Sequence, residues 1–178
     1  TGGRALLNRL LSLGVAAEDM AAIEFAAVQV HDQNMSLSQG AIVALNHCDH
    51  PARITALQVF HDRWQDNPLV LEKWFMIESM SVVSGTITHL KTLMNHPAFD
   101  ANNPNKLRSV LGAFMTGNPV NFYAEDGSGF AFIGECLVDI DARNPQLAAR
   151  MALPLTRSAH YAPARRAQML AVLKKLRK

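Results

Sequence analysis

The stretch NPNKLRSVLGAF, residues 103–114, contains two features that recur along this 178-residue chain. It opens with Asn103-Pro104. Asn can cap the free amides of a helix, and Pro in the first helical position loses no hydrogen bond, so the pair predicts a helix start. Apolar residues then follow at the spacing of three and four that is typical of an amphipathic helix, at Leu107, Val110, Leu111 and Phe114.

Both features occur again on either side of this stretch. Three further Asn-Pro pairs predict helix starts at Pro68, Pro119 and Pro145, and Pro154 predicts a helix end or kink near Leu153. The alternation of apolar and polar residues that indicates strands does not recur. The other helical apolar sets are Ile54, Leu57, His61 and Trp64; Val83, Ile87, Leu90 and Met94; Phe130, Ile133, Leu137 and Ile140; and Met169, Val172, Leu173 and Leu176.

These patterns predict an all-α fold. Because short connections between consecutive amphipathic helices favour antiparallel neighbours, we expect an α-solenoid of antiparallel helix pairs, similar to a HEAT or armadillo superhelix. The unequal spacing of the Asn-Pro pairs gives only weak support to a regular repeat. The length fits a single domain over residues 1–178.

Composition excludes several classes of protein. Hydrophobic residues make up 49% of the chain, which excludes disorder, and no apolar run approaches the roughly 18 residues of a membrane span. Charged residues make up only 18%, against about 25% in an average domain, so either another domain covers part of the surface or the surface is neutral. Two cysteines are too few for a disulfide scaffold and indicate a reducing compartment; we expect a cytoplasmic protein.

Three clusters of residues could carry chemistry. His47-Cys48-Asp49-His50 contains metal-ligand types, but adjacent ligands in one loop cannot surround a tetrahedral ion, so an interhelical turn is favoured and no metal site is predicted. The loop 125–129 lacks the Lys of a phosphate-binding loop, and we expect Asp126 or Ser128 to cap a helix that begins near Gly129. The basic C-terminal residues, Arg165, Arg166, Lys174, Lys175, Arg177 and Lys178, lack aromatic residues for base stacking, so no nucleic-acid partner is predicted.

Three polar side chains stand at positions where helices could present them to one partner. Arg108 flanks the apolar face of its predicted helix, and Gln146 and Arg150 are four residues apart, so these two share one helical face. The residues alone leave open whether they bind a ligand or are ordinary surface groups.

Several blocks of the chain, taken in order, resemble the C-terminal domain of bacterial aminopeptidase N. The likeness extends over nearly the whole sequence, and the blocks are specific only in combination. They are RWQDNPLV at 63–70, KWF at 73–75, NPNKLRS at 103–109, GAF at 112–114, AEDGSGF at 124–130 and RNPQ at 143–146.

The resemblance implies a function as well as a fold. In this family of zinc metallopeptidases the H-E-x-x-H helix belongs to a separate catalytic domain, and that motif is missing from this sequence. The resemblance therefore implies a non-catalytic cap domain that covers the active-site cavity and restricts entry to short peptides. Its implied partners are peptide substrates and the other domains of the same polypeptide, with zinc held in the catalytic domain. Arg108, Gln146 and Arg150 match cap-domain positions implied to bind the peptide.

Two alternatives remain open. The chain could be a free-standing α-solenoid that binds another protein on its concave surface. It could also be an independent enzyme centred on His47 and Cys48, although only scattered histidines favour that hypothesis.

Overall fold

The structure, a computed structural model, describes residues 2–176, and these residues form helices and connecting turns without a strand. The all-α prediction is confirmed. No helix in this range is both long and apolar enough to cross a membrane. The chain divides into two compact units between Gly85 and Thr86. The interpretation of residues 1–178 as one domain stays a prediction.

The first unit consists of five helices that pack against their neighbours in sequence, with α3 in contact with both α1 and α2 and with α4. Its core contains the fully buried rings of Phe60 and Phe75. The indole of Trp74 donates a hydrogen bond of 3.1 Å to the Leu57 carbonyl, which ties α5 to α4. The helices are α1 Gly2–Ala16, α2 Met20–Gln29, α3 Met35–Leu45, α4 Pro51–Trp64 and α5 Pro68–Ser79.

The second unit contains shorter helices, and α10 is at its centre, in contact with α9, α11 and α13. Its elements are α6 Thr86–Met94, α7 Pro104–Leu107, a π-helical segment Arg108–Gly112, α8 Ala113–Gly117, α9 Pro119–Phe122, α10 Ser128–Asp141, α11 Pro145–Met151, α12 Leu153–Thr156, a 3₁₀ segment Arg157–His160 and α13 Pro163–Lys175.

All four predicted Asn-Pro starts are confirmed. The asparagine side chain accepts a backbone N–H in each case, and proline occupies the first turn of α5, α7, α9 and α11. The predicted break before Pro154 is also present, since α11 ends at Met151 and α12 begins at Leu153. Because a cap depends on the local chain, these boundaries can be predicted from sequence.

One prediction about a buried face and one about helix geometry need correction. Ile54 is 69% exposed, because α4 buries Ala56, Leu57 and Phe60 and Ile54 lies about 120° around the helix from Phe60. The predicted helix after Asn103 also contains a π-type turn, in which the Ala113 amide donates to the Arg108 carbonyl five residues earlier. The predicted apolar residues of that helix, Leu107, Val110, Leu111 and Phe114, are nevertheless all buried.

The loop before α10 is a structural turn. Gly127 has a φ of 74° and precedes the helix, which begins at Ser128, next to the predicted start near Gly129. Asp126 caps it as predicted, since its carboxylate accepts the Ser128 amide at 2.9 Å. The C-terminal basic residues are described as far as Lys175, whereas Arg177 and Lys178 lie outside the described residues.

Candidate functional site

Two short elements of the second unit position the predicted site residues. The helix α7 begins at the Asn103 cap, which accepts the Asn105 amide at 2.9 Å, and Arg108 follows as the first residue of the π segment. The helix α11 begins at the Asn144 cap, which accepts the Leu147 amide at 3.0 Å. Both elements therefore have a fixed first turn, and the site residues follow within six residues of each cap.

The structure brings Arg108, Gln146 and Arg150 together around one cavity of about 110 Å³. All three side chains are exposed, whereas the neighbouring Leu147 is 6% exposed and anchors α11 to the core. Gln146 and Arg150 were predicted to share one face of a helix, and their position at one cavity agrees with this prediction. The remaining lining residues are Pro104, Asn144 and Leu147 itself.

The charge around this cavity is positive. Two of its lining residues are arginines, and among the described residues no Asp or Glu lines it. Within residues 2–176 the side chains of Gln146 and Arg150 have no hydrogen-bond partner, and Arg108 has one, a 3.3 Å bond from Nη1 to the Asn105 Oδ1. Their donors are therefore available to an anion, and a carboxylate suits the planar fork of a guanidinium.

Arg143, in the RNPQ block, has a different role from the two site arginines. Its guanidinium group donates to the carbonyls of Asp139 and Ala101, at 3.2 and 3.3 Å, and to the Asn102 Oδ1 at 3.4 Å. It thereby joins the end of α10 to the loop before α7. The Arg143 hydrogen bonds hold in place the two segments that carry the site. Arg143 also lines a neighbouring cavity of about 200 Å³.

Two residues that were not predicted from the sequence, Asn105 and Leu147, position Arg108 and α11. Asn105 is three residues before Arg108, and this helical spacing is a signal that could have identified it. The burial of Leu147 depends on how α11 packs on α10, for which no local signal exists.

The cluster at residues 47–50 forms the turn between α3 and α4. His50 caps α4 by accepting the Ala52 amide at its Nδ1, and the buried Cys48 thiol donates to the Leu45 carbonyl. Burial raises the pKa of Cys48, which keeps it a neutral thiol. Among residues 2–176 no group of three or more His, Cys, Asp or Glu is placed to hold a metal ion, so these residues do not fit a zinc site.

His61 packs against an aromatic ring in the first unit. Its ring centroid is 4.8 Å from that of Trp74, and its Nδ1 is 3.1 Å from the Asp62 carboxylate. The hydrogen bond from His61 lowers the pKa of Asp62. Since His61 and His89 lie outside the cavity at α7 and α11, they are not part of the candidate site.

A chain whose described residues form only helices and connecting turns, with most helices packed against their neighbours in sequence, belongs to the class of all-helical domains that includes the helical repeat domains. Over residues 1–178 the chain matches the family described as "Domain of unknown function (DUF3458_C) ARM repeats", and it belongs to this family. The predicted armadillo-like α-solenoid is thereby confirmed.

Curated relatives confirm the resemblance to aminopeptidase N. The chain is 36% identical to aminopeptidase N of Escherichia coli over 175 residues, which is 98% of this chain and 20% of the relative. It is 34% identical to aminopeptidase N of Haemophilus influenzae over 84% of this chain and 18% of the relative, and 34% identical to that of Caulobacter vibrioides over 91% and 19%. The chain spans about a fifth of the length of these relatives.

A solved structure gives the same result. The crystal structure of Legionella pneumophila aminopeptidase A in complex with aspartic acid is similar to this chain with a TM-score of 0.90 and 28% identity. The similarity covers 97% of this chain and 21% of that one. The comparisons therefore support a domain of an aminopeptidase.

Proposed function

We propose that this chain is the non-catalytic C-terminal domain of a zinc-dependent aminopeptidase, and that it covers the active-site cavity and restricts entry to short peptides. The observation that carries the proposal is the common cavity of Arg108, Gln146 and Arg150, which has two arginines and no acidic residue among the described residues that line it. These side chains would bind the peptide beyond its first residues, including its free carboxylate, through charge-assisted hydrogen bonds.

The zinc of the proposed enzyme would lie in another domain, because the described residues do not provide a ligand set. There the metal would activate a water for attack on the N-terminal peptide bond. This chain would bind and orient the peptide, and by itself it would be inactive. We place the enzyme in the cytoplasm, where Cys48 and Cys136, both buried free thiols, would stay reduced.

The proposed partner of the first unit is the rest of the same polypeptide. Leu6, Leu10 and Leu13 lie on one face of α1 and are 61%, 57% and 55% exposed, while Leu11 and Val15 on the opposite face are buried. An apolar face of this kind favours coverage by protein. Since the chain spans about a fifth of its relatives, the other domains of such a protein are the occupant we propose.

The same apolar face would also serve a free-standing scaffold that binds a separate protein. The coding sequence upstream of Thr1 distinguishes the two functions. A peptidase domain with an H-E-x-x-H helix supports the aminopeptidase, and a gene that starts at this segment supports the scaffold.

The peptide-binding role is tested in the complete enzyme with Arg108→Gln and Arg150→Gln. Because both side chains are exposed, each contact with the peptide should contribute only a modest free energy of binding. We therefore expect KM for a tetrapeptide to rise about fivefold with little change in kcat. KM for an alanyl chromogenic substrate, which lacks the C-terminal carboxylate, should stay unchanged.

Arg166→Gln is the matched control, because Arg166 is an exposed arginine of α13 that does not line the cavity. If KM for the tetrapeptide is the same in the parent enzyme and in both cavity variants, or if Arg166→Gln raises it equally, the cavity has no role in binding peptides.

A further inference from the structure

A larger cavity of the second unit, distinct from the two described above, lies between α8, α9, α12 and the 3₁₀ segment, with a volume of about 350 Å³. This volume falls at the lower end of the range for small-molecule sites, about 300–1,000 Å³. It shares no lining residue with the cavity of Arg108 and Arg150. Its lining is Met115, Thr116, Pro119, Tyr123, Leu153, Pro154, Arg157 and Tyr161.

One wall of this cavity is a rigid pair of tyrosines. The rings of Tyr123 and Tyr161 are stacked with centroids 5.0 Å apart, and their hydroxyl groups are hydrogen-bonded at 2.7 Å. Arg165, which is not among the lining residues, donates a hydrogen bond of 3.0 Å to the Tyr123 carbonyl. Its guanidinium group lies 5.7 Å from the centroid of the Tyr123 ring. The ring of Phe122 packs edge-on against Tyr123 at 4.7 Å. The wall is therefore formed before any ligand arrives.

This wall has a hydrogen-bond donor to offer. Each phenol carries one proton, and the bond between the two hydroxyls uses only one of the two. Burial and the bond to Tyr161 raise the pKa of Tyr123 to about 12, so its hydroxyl stays protonated at neutral pH. One phenolic proton is thus left for an acceptor in the cavity.

Arg157 supplies a positive charge at the same place. It lines the same cavity as Tyr123 and Tyr161, and its guanidinium group has no hydrogen-bond partner in the described part of the chain. No acidic residue is among the described residues that line the cavity. A cation, a phenolic donor and no competing carboxylate favour an anion as ligand.

Apart from Thr116, the rest of the lining is apolar. Met115, Pro119, Leu153 and Pro154 face the cavity, and Leu153 is 59% exposed although it is a large hydrophobic residue. A small inorganic anion would leave this surface in water, whereas an uncharged apolar group would remove water from Arg157 without replacing its hydrogen bonds. A ligand with both a carboxylate and a hydrophobic body satisfies both parts of the lining.

We infer that this cavity binds a carboxylate with an apolar body, of the size of one hydrophobic amino-acid residue, in which Arg157 and the Tyr123–Tyr161 pair bind the carboxylate and Leu153 contacts the apolar group. Such a group occurs both in a free acid and at the C-terminus of a peptide. The inference does not depend on the proposed function, since it uses neither Arg108 nor Arg150.

The test is an NMR titration of the 178-residue chain with N-acetyl-L-leucine, followed through backbone amide shifts. For a ligand of this size we expect a dissociation constant of about 1 mM and shifts at the lining residues. N-acetyl-L-leucinamide, which lacks the charge, and acetate, which lacks the apolar body, should each bind at least fivefold more weakly. A tripeptide that ends in leucine distinguishes the sources: tighter binding than the free acid assigns the site to peptides, and equal binding to the carboxylate residue alone.

Variants separate this site from the first one. Arg157→Gln should weaken binding of N-acetyl-L-leucine at least fivefold and Leu153→Ala about threefold, and both side chains are exposed enough for the fold to survive their loss. Arg150→Gln is the matched control and should have no effect. The inference is wrong if acid and amide bind alike, if no shifts occur up to 50 mM ligand, or if Arg150→Gln weakens binding as much as Arg157→Gln does.

Discussion

The close approach of α9 to α10 can be tested with one methyl group at Gly129. A Cβ at this position would lie 2.5 Å from the carbonyl oxygens of Asn121 and Phe122 and 2.8 Å from the Phe122 Cα. Non-bonded carbon atoms normally stay about 3.5–4.0 Å apart, so α9 must move by about 1 Å to accept the methyl group. Gly129→Ala therefore changes the packing of two backbones rather than of flexible side chains.

The cost of this movement follows from what α9 carries. Phe122 is fully buried, and its ring packs edge-on against Phe114 and Phe130, with centroids 5.7 and 5.1 Å away. Overpacking usually costs about 1–3 kcal/mol, and because backbone atoms are involved here we expect the upper end, about 3 kcal/mol. For a chain of this size that lowers Tm by about 6–12 °C.

The measurement is urea and thermal unfolding followed by circular dichroism. Gly112→Ala is the matched control, because a Cβ there would lie 3.6 Å from the Arg108 Cβ, an ordinary contact. Alanine in place of glycine inside a helix should stabilise the chain by about 0.5–1 kcal/mol. A free energy of unfolding for Gly129→Ala within 0.5 kcal/mol of the parent chain, or an equal loss in Gly112→Ala, would refute the packing argument.

Two further predictions concern the second unit. Burial raises the pKa of Cys136 to about 12. The unfolded thiol ionises near its ordinary pKa of 9.0 and the folded thiol does not, so the free energy of unfolding should fall between pH 9 and pH 12. The fall, measured by urea unfolding, should be smaller in Cys136→Ala. An equal fall in both chains would contradict this prediction. Asn144→Ala removes the α11 cap, which should lower the free energy of unfolding by about 1 kcal/mol and raise KM for a tetrapeptide in the complete enzyme. Asn67→Ala removes the α5 cap and is the control: it should lower the free energy of unfolding equally and leave KM unchanged.

Helix starts could be predicted from sequence because they are local. An Asn side chain that accepts an amide two or three residues later needs no information from the rest of the fold, and all four Asn-Pro pairs obey this rule. The buried face of α4 could not be assigned in the same way. Ile54 has the right spacing to Leu57, but which face of a helix is covered depends on its neighbours.

The π turn at Arg108–Gly112 was missed for a related reason. A π turn accommodates an extra residue in the helix, and the spacing of the apolar residues from Leu107 to Phe114 nevertheless fits the pattern of an α-helix. No residue type marks the turn in sequence.

The candidate site could be predicted only in part. The spacing of Gln146 and Arg150 places them on one face of α11. Arg108, in contrast, was assigned to the site only because of the family resemblance. Its place at the same cavity depends on how α7 lies against α11. The larger cavity was missed altogether, because Tyr123 and Tyr161 are 38 residues apart and no local pattern connects them.

The arginines in the described part of the chain differ in how much of their donor capacity the fold uses. Arg63 donates to the Asp32 carbonyl and the Gln33 side chain, both at 2.9 Å, and Arg143 joins two segments in the same way. Such arginines stabilise the fold through hydrogen bonds within the chain. Arg108 and Arg150, in contrast, line one cavity in which none of the described lining residues is acidic, so a bound anion would supply the charge partner that the fold itself does not give them.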